Sequence, residues 1–203
     1  MRRFFIMIGL LLMTITTSAQ QDSQAQQILE NTITAFRKAN SISLTFGGSQ
    51  KGTLILQGAC FYLDCDGIKS WFDGKTQWSY AQENEEVTIS TPTIEELQSI
   101  NPYSIITSYR QHYNYRYKGI IQQDGKQNYE ILLTPRTSNN NNIVSVLLHI
   151  SQTYRPVSIT IQLSNGESQR FIIHSYKAIK ELNIATFRFD PQKYPNAEII
   201  DMR

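Results

Sequence analysis

The three histidines of this sequence, His112, His149 and His174, are its side chains best suited to acid–base chemistry. They lie far apart in the sequence, and none stands near the two cysteines at a spacing typical of a metal site. His149 lies between Leu148 and Ile150 in an alternating segment, which predicts a side chain on the face opposite the apolar residues, in contact with solvent. The histidines therefore predict neither a catalytic base nor a metal site.

Adjacent glutamates occur at Glu85-Glu86 and at Glu95-Glu96, and two carboxylates catalyse only when they converge on one substrate. Neighbouring residues take opposite faces of a strand and point apart on a helix, so neither pair can converge. The chain also lacks the complete glycine-rich loops that bind nucleotide phosphates. We therefore expect a protein that is not an enzyme, with no catalytic residue, no metal and no cofactor.

Two cysteines, Cys60 and Cys65, are five residues apart. On a single extended strand this odd spacing places the two side chains on opposite faces and about 16 Å apart, which is too far for a disulfide bond. A disulfide is possible only if the chain turns between Asp64 and Gly67.

Residues 1–19 have the pattern of a secretory signal peptide: two arginines, an apolar run from Phe4 to Ile15, and small residues up to Ala19. We expect cleavage after Ala19 and export of residues 20–203 as one domain. The rest of the chain has no apolar stretch of about 20 residues, which predicts no membrane span. No cysteine follows the apolar run closely enough for lipid attachment.

The formal net charge of +2 comes from the two arginines of this leader, so the exported chain carries a charge near zero. Proteins that bind nucleic acid or anionic membranes usually present a strongly basic surface. The charge balance therefore argues against a nucleic-acid partner.

An amphipathic helix is predicted between Gln21 and Ala39, because apolar or small residues recur there at helical spacing. We expect Ser23 and Gln26 to form a capping box at its start. The residues expected on the apolar face are Ala25, Ile28, Leu29, Thr32, Ile33 and Phe36.

Most of the remaining chain alternates between apolar and polar residues, which is typical of antiparallel strands with one buried face. Asp73-Gly74, Asp124-Gly125 and Asn165-Gly166 stand between alternating segments and predict hairpins. We count about eleven strands, more than a flat open sheet usually holds. A sheet of this size is expected to curl into a partial or closed barrel. Residues 139–142 are expected to form a mobile surface loop.

The alternation stops between Thr91 and Tyr109, where two short helices are predicted. Thr93 and Glu96 have the spacing of a capping box, and Asn101 precedes a proline suited to the first position of a helix. Two short helices within a β protein need a surface to cover, so we expect them to lie over the concave side of the sheet.

The segment from Ile68 to Tyr80 predicts a hairpin with a type I′ turn at Asp73-Gly74. Trp71, Trp78 and Tyr80 give it a large aromatic surface. These side chains could fill a packed core, but a curled sheet closed by helices favours an apolar cavity lined by them.

This hairpin, with the run Asp73-Gly-Lys-Thr-Gln-Trp78 and the acidic strand that follows, resembles that of the LolA family. LolA proteins are periplasmic carriers that shuttle lipoproteins between the two membranes of Gram-negative bacteria. Four further segments resemble the family in the same order and cover nearly the whole exported chain: Gly52-Thr-Leu54, Asn101-Pro-Tyr103, Tyr129–Pro135 and Phe187–Pro191.

The resemblance implies a mainly β fold with α-helices, in which a curled antiparallel half-barrel is covered by a helical lid. It further implies a monomeric periplasmic carrier that binds acylated lipoproteins or another lipid and receives them from an inner-membrane ATP-driven lipoprotein transporter. It identifies no acceptor at the outer membrane. The residues expected to line the apolar cavity and lid are Leu44, Phe46, Leu54, Leu56, Trp71, Trp78, Tyr80, Tyr103, Ile105 and Ile106.

One feature of the family is missing from this chain. LolA sequences have an Arg-Pro pair that is implicated in holding and releasing the lid, and Gly58-Ala59 stands at that place here. We therefore expect lid closure to depend on apolar contacts of Tyr103, Ile105 and Ile106. Two alternatives stay open: a periplasmic binding protein for another lipophile, and a structural or interaction domain with a filled core.

Overall fold

The computed structural model describes residues 22–101, 103–137 and 142–203. The α-helices in this part of the chain are α1 (Ser23–Lys38), α2 (Ile94–Ile100) and α3 (Tyr103–His112). The strands before α2 are β1 (Ser41–Gly48), β2 (Gly52–Gln57), β3 (Cys60–Cys65), β4 (Ile68–Phe72), β5 (Gln77–Ala81) and β6 (Glu86–Ser90). Those after α3 are β7 (Tyr113–Gln123), β8 (Lys126–Pro135), β9 (Ile143–Ser151), β10 (Pro156–Leu163), β11 (Ser168–Ile179) and β12 (Glu198–Asp201). Two 3₁₀ helices, Ile184–Phe187 and Pro191–Lys193, precede β12.

All twelve strands belong to one open, curled sheet in the order β12-β6-β5-β4-β3-β2-β1-β11-β10-β9-β8-β7. The mainly β fold and the antiparallel half-barrel predicted from the sequence are confirmed. The count of about eleven is one too low because β12 is a short, fully exposed strand without alternation. It pairs in parallel with β6, whereas the other pairs are antiparallel.

The predicted hairpin turns differ in detail. Asp124 and Gly125 both have positive φ, 51° and 71°, and form the two-residue turn between β7 and β8. At the Asp73-Gly74 hairpin only Gly74 has a positive φ, and four residues separate β4 from β5. The predicted type I′ turn is therefore wrong there, because the Asp73 carboxylate accepts hydrogen bonds from the backbone N–H groups of Lys75 and Thr76 and holds a longer loop.

Helix α1 buries the six residues predicted for its apolar face. Its N-cap is Asp22, whose carboxylate accepts hydrogen bonds from the N–H groups of Gln24 and Ala25. The predicted capping box of Ser23 with Gln26 is therefore wrong by one residue: Ser23 is the first helical residue, and the stronger acceptor before it takes the cap.

Helices α2 and α3 occupy the predicted interruption. The capping box at the start of α2 is confirmed, with Thr93 Oγ1 accepting from the Glu96 N–H at 3.2 Å and the Glu96 carboxylate accepting from the Thr93 N–H at 2.7 Å. Asn101 Oδ1 accepts a hydrogen bond from the N–H of Tyr103 at 3.0 Å. The helical role predicted for Pro102 falls outside the described residues.

The two faces of the sheet are covered by different parts of the chain. One face packs against α1, α2 and α3 and forms the main core, which includes Phe72. The other face carries a smaller aromatic cluster that includes Trp71 and packs against Phe189 and Tyr194 of the C-terminal segment. Because adjacent strand residues point to opposite faces, Trp71 and Phe72 belong to different cores.

The predicted leader and most of the predicted loop at 139–142 also lie outside the described residues. Within the described residues, no helix is long and apolar enough to cross a membrane.

Candidate ligand cavity beneath the helices

Helices α2 and α3 lie over the concave face of the sheet and bury apolar side chains there. Tyr103, Ile105, Ile106 and Tyr109 of α3 are at most 3% exposed. The ring of Tyr103 packs on Phe36 of α1, with 5.3 Å between the ring centres. The helices thus continue the core of the sheet.

Two small cavities remain between these helices and the sheet. The first has a volume of about 40 Å³ and a largely apolar wall. Its lining consists of Leu44, Phe46, Gln50, Leu54, Leu63, Cys65, Ile100, Asn101, Tyr103, Ile159, Phe171 and Ile173. Among the described residues, no charged side chain belongs to this wall.

The second cavity, of about 70 Å³, lies toward the turn between β2 and β3. Its lining consists of Phe36, Leu56, Gly58, Ala59, Phe61, Phe72, Leu97, Asn101, Tyr103, Ser104 and Thr107. Asn101 and Tyr103 line both cavities, so the start of α3 stands between them.

Seven of the ten residues proposed from the sequence lie on this side of the sheet. Leu44, Phe46 and Leu54 line the first cavity, Leu56 lines the second, and Tyr103 lines both. Ile105 and Ile106 belong to the same core with no exposed surface, but they line neither cavity.

The remaining three, Trp71, Trp78 and Tyr80, lie on the other face of the sheet. Placing them in one cavity with the lid residues was therefore wrong. Trp71 is opposite Trp78 across the hairpin, and Tyr80 follows two residues after Trp78, so all three share a face, but it is the outer one. The C-terminal segment packs against this face and helps to bury Trp71 and Tyr80 there.

A wider groove of about 300 Å³ lies on this outer face. Tyr62, Trp71 and Tyr194 contribute rings to it, whereas Arg188, Asp190 and Lys193 contribute charges. The outer groove is therefore polar and charged, in contrast to the cavities beneath the helices.

Sequence reasoning missed several residues of the cavity walls, among them Phe61, Phe72 and the pair Phe171 and Ile173. Phe61 and Phe72 are opposite each other on β3 and β4, with ring centres 5.5 Å apart. The alternation of side chains along a strand could have identified them, because Phe72 is next to Trp71 and must lie on the opposite face. Phe171 and Ile173 are two residues apart in β11, which is the same period-two signal.

Polar contacts connect the two lid helices to their surroundings. Glu30 of α1 accepts a hydrogen bond from the Tyr109 hydroxyl and forms an ion pair with Arg110 at 2.9 Å. Gln98 of α2 donates to Ser108 of α3 and accepts from the Tyr113 hydroxyl, each at 3.0 Å. Burial raises the pKa of Tyr113 to about 12, so this phenol stays neutral and can donate.

Gly58 and Ala59, which stand in place of the family's Arg-Pro pair, form the two-residue turn between β2 and β3. Gly58 has a φ of +57°, and both residues line the second cavity. The turn reaches the wall of the lid cavity without a cationic donor.

Cys60 and Cys65 are the two ends of β3 and are free thiols. This agrees with the opposite faces expected from their odd spacing. Burial raises the pKa of both thiols, so both are in the neutral form at neutral pH.

His149 lies on the face opposite Leu148 and Ile150, as predicted, but its expected contact with solvent is wrong, because the side chain is only 12% exposed. Its Nδ1 is 3.0 Å from Ser158 Oγ and its Nε2 is 3.1 Å from a carboxylate oxygen of Glu130. Ser158 is 1% exposed and lines neither lid cavity, so its hydroxyl is out of reach of a substrate. The chain of contacts ties three adjacent strands together. Among the described residues, no three His, Cys, Asp or Glu side chains are grouped as a metal site requires.

Solved structures with the same fold include an uncharacterised conserved protein from Thermus thermophilus, at 13% identity and a TM-score of 0.64 over 88% of this chain and 99% of that one. A LolA superfamily protein from Nitrosomonas europaea matches at 12% identity and a TM-score of 0.44, over 82% of this chain and 98% of that one. Lipoprotein LppX from Mycobacterium tuberculosis matches at 12% identity and a TM-score of 0.47, over 80% and 99%. No curated protein sequence matches the chain. Residues 15–167 match the family profile described as outer membrane lipoprotein carrier protein LolA. The chain therefore belongs to the LolA-like family of outer-membrane lipoprotein carrier proteins.

Proposed function

We propose that this protein is a periplasmic carrier that binds the acyl chains of lipoproteins beneath α2 and α3 and carries them toward the outer membrane. The observation that supports this most directly is the pair of cavities between the helices and the sheet, to whose walls the described part of the chain contributes no charged side chain. Burial of an acyl chain contributes about 0.8 kcal/mol per methylene, so such a wall needs no specific motif to bind it.

In this conformation the cavities are too small for a long acyl chain. A water molecule needs about 10–15 Å³ of such space, so the first cavity has room for about three. Binding therefore requires the helices to move away from the sheet. Helices of seven and ten residues are marginal on their own and depend on docking for stability, which suits them to this movement.

Transfer of an acyl chain from a bilayer to a protein cavity exchanges one apolar environment for another, so uptake needs an external source of free energy. We assign this role to an inner-membrane ATP-driven lipoprotein transporter. The carrier is exported after cleavage behind Ala19, and residues 20–203 act as a monomer between that donor and an acceptor at the outer membrane.

The small volume of the cavities also favours a second candidate, a structural or interaction domain with a filled core. A third candidate, a binding protein for another lipophile, shares the cavity but differs in cargo. Mass spectrometry of protein purified under native conditions separates the three: an acylated peptide supports the lipoprotein carrier, a free lipid supports the third candidate, and an empty protein supports the filled core.

An apolar fluorescent dye gives a second test. Saturable dye binding that fatty acid displaces is expected of a carrier. Ile105→Asp, which places a carboxylate in the docking surface of α3, should weaken this binding while the sheet stays folded. The absence of saturable dye binding to native protein would contradict the carrier proposal.

A further inference from the structure

The hydroxyl of Tyr103 is a buried polar group that lacks a hydrogen bond of normal geometry. Tyr103 is 3% exposed and lines both lid cavities. Burial raises its pKa well above the usual value, so the phenol keeps its proton. Buried hydroxyls in proteins are nearly always bonded, which makes a buried hydroxyl without a hydrogen bond of normal geometry unusual.

A second phenol lies next to it. Tyr176 of β11 packs against the main core, and its hydroxyl interacts with that of Tyr103 without reaching the geometry of a hydrogen bond. The guanidinium of Arg155 lies 5.5 Å from the centre of the Tyr176 ring. Arg155 is exposed, so a positive charge lies on the solvent side of the pair formed by Tyr103 and Tyr176.

A third donor belongs to Asn101, which also lines both cavities. Its side-chain oxygen accepts the hydrogen bond from the Tyr103 N–H, and its NH₂ group is a further donor at this place. Among the described residues, no carboxylate belongs to either cavity wall, so no anionic side chain there accepts from the Tyr103 hydroxyl.

We propose that Tyr103, with Tyr176 and Asn101, binds the carbonyl oxygen of an acyl group whose chain occupies the apolar walls. The Tyr103 hydroxyl donates to that oxygen, and the neighbouring donors complete its shell. The inference rests on the proposed function and specifies its ligand: an acyl group rather than any apolar molecule. The same carbonyl chemistry is present in an ester-linked acyl chain and in a free fatty acid, whose carboxylate suits the cation of Arg155.

The test compares an oxygen-free ligand with two acyl ligands. N-phenyl-1-naphthylamine serves as the fluorescent probe, and palmitate and methyl palmitate compete with it. Tyr103→Phe should weaken both acyl competitors relative to the probe by about 3- to 10-fold, the effect of losing one hydrogen bond. Tyr129→Phe, a tyrosine stacked on Tyr154 away from both cavities, is the matched control and should change nothing.

The two acyl competitors distinguish the sources of the carbonyl. Similar affinities for both support an ester-linked chain. A preference for palmitate that Arg155→Gln removes supports a free carboxylate. Equal acyl affinity of wild type and Tyr103→Phe, with the probe still bound, overturns this inference and leaves the carrier proposal standing. A wild type that binds neither probe nor acyl ligand overturns the carrier proposal itself.

Stability of the ligand-free protein provides an independent readout. Because the Tyr103 hydroxyl makes no hydrogen bond of normal geometry there, Tyr103→Phe should keep or raise the melting temperature. Tyr113→Phe, which removes a hydroxyl bonded to Gln98, should lower it. A melting temperature lowered by Tyr103→Phe as much as by Tyr113→Phe would mean that the Tyr103 hydroxyl is already bonded without ligand, and would overturn the inference.

Discussion

The two faces of the sheet both bury aromatic side chains, but different parts of the chain cover them. The concave face is covered by α1, α2 and α3, which leave two small uncharged cavities. The outer face is covered by the C-terminal segment, where the rings of Phe189 and Tyr194 lie 5.6 and 5.8 Å from that of Trp71.

The attachments of the two covers differ as well. The C-terminal segment is fixed by the strand pairing of β12 with β6 and by an ion pair between Arg188 and Asp73 at 3.0 Å. Helix α3 is joined to α1 by side-chain contacts of Glu30. A backbone ladder is lost only when the strand detaches, whereas side-chain contacts and apolar docking can separate locally. On the proposed function, the helices over the concave face are therefore expected to open, and the C-terminal segment is expected to stay attached to the outer face.

Trp71→Ala should produce the largest loss of stability. The side chain is 7% exposed and contacts three other rings, so the free energy of unfolding should fall by about 3–5 kcal/mol. Urea unfolding measures the loss, and dye titration of the folded fraction should give an unchanged affinity. The half-buried Trp78 is the control, for which Ala should cost less. Dye affinity that falls in folded Trp71→Ala would break the distinction between the two faces.

Ile105→Ala should act on the lid rather than on the whole protein. Truncation of such a fully buried isoleucine lowers the free energy of unfolding by about 2–5 kcal/mol. We expect the loss to weaken mainly the docking of α3 on the sheet. Hydrogen exchange should become faster in α3 while β8 and β9 stay slow, and bound cargo should dissociate faster. Ile131→Ala in β8 is the matched control, because Ile131 is also fully buried. It should make hydrogen exchange faster throughout the sheet as well as in α3. Exchange in wild-type α3 as slow as in the central strands would contradict a mobile lid.

Glu30→Gln and Asp73→Asn compare the tethers of the two covers. The ion pair of Glu30 with Arg110 is at the surface and screened by solvent, so its loss should speed cargo dissociation only a few-fold. Asp73→Asn weakens the outer tether and its loop, so it should lower stability without changing dissociation. Stopped-flow displacement of bound dye measures both rates, and equal effects of the two variants would remove the distinction between the tethers.

Alkaline pH should lower the free energy of unfolding through one tyrosine on each face of the sheet. This effect should be smaller than those of the substitutions above. Burial raises the pKa of Tyr113 on the lid side and of Tyr62 on the outer side from 10.0 to about 12, and the charge of Asp64 adds to the shift of Tyr62. The neutral phenol is favoured in the folded state, so this stability is complete below pH 10 and is lost as the pH rises toward 12. Unfolding measured at pH 9 and pH 11 should show a smaller loss in Tyr113→Phe and in Tyr62→Phe than in wild type. An undiminished loss in either variant would mean that its phenol does not contribute.

The local patterns of the sequence determined most of the secondary structure. The helical spacing from Ala25 to Phe36, the capping box of Thr93 with Glu96 and the period-two strands are encoded in neighbouring residues, so they could be read without tertiary information. The predicted residues that line the cavities beneath the helices, such as Leu44 and Leu54, lie on strands next to one another in sequence.

Only the tertiary structure decided which face of the hairpin meets the lid. The alternation of Trp71 and Phe72 shows that they point in opposite directions, but both directions are apolar, so the pattern does not say which side is concave. The choice depends on where the C-terminal segment packs, and that segment is more than 100 residues away from the hairpin in sequence. The same holds for the hydroxyl of Tyr103, because its lack of a hydrogen bond of normal geometry is a property of the folded surroundings and leaves no mark on the sequence.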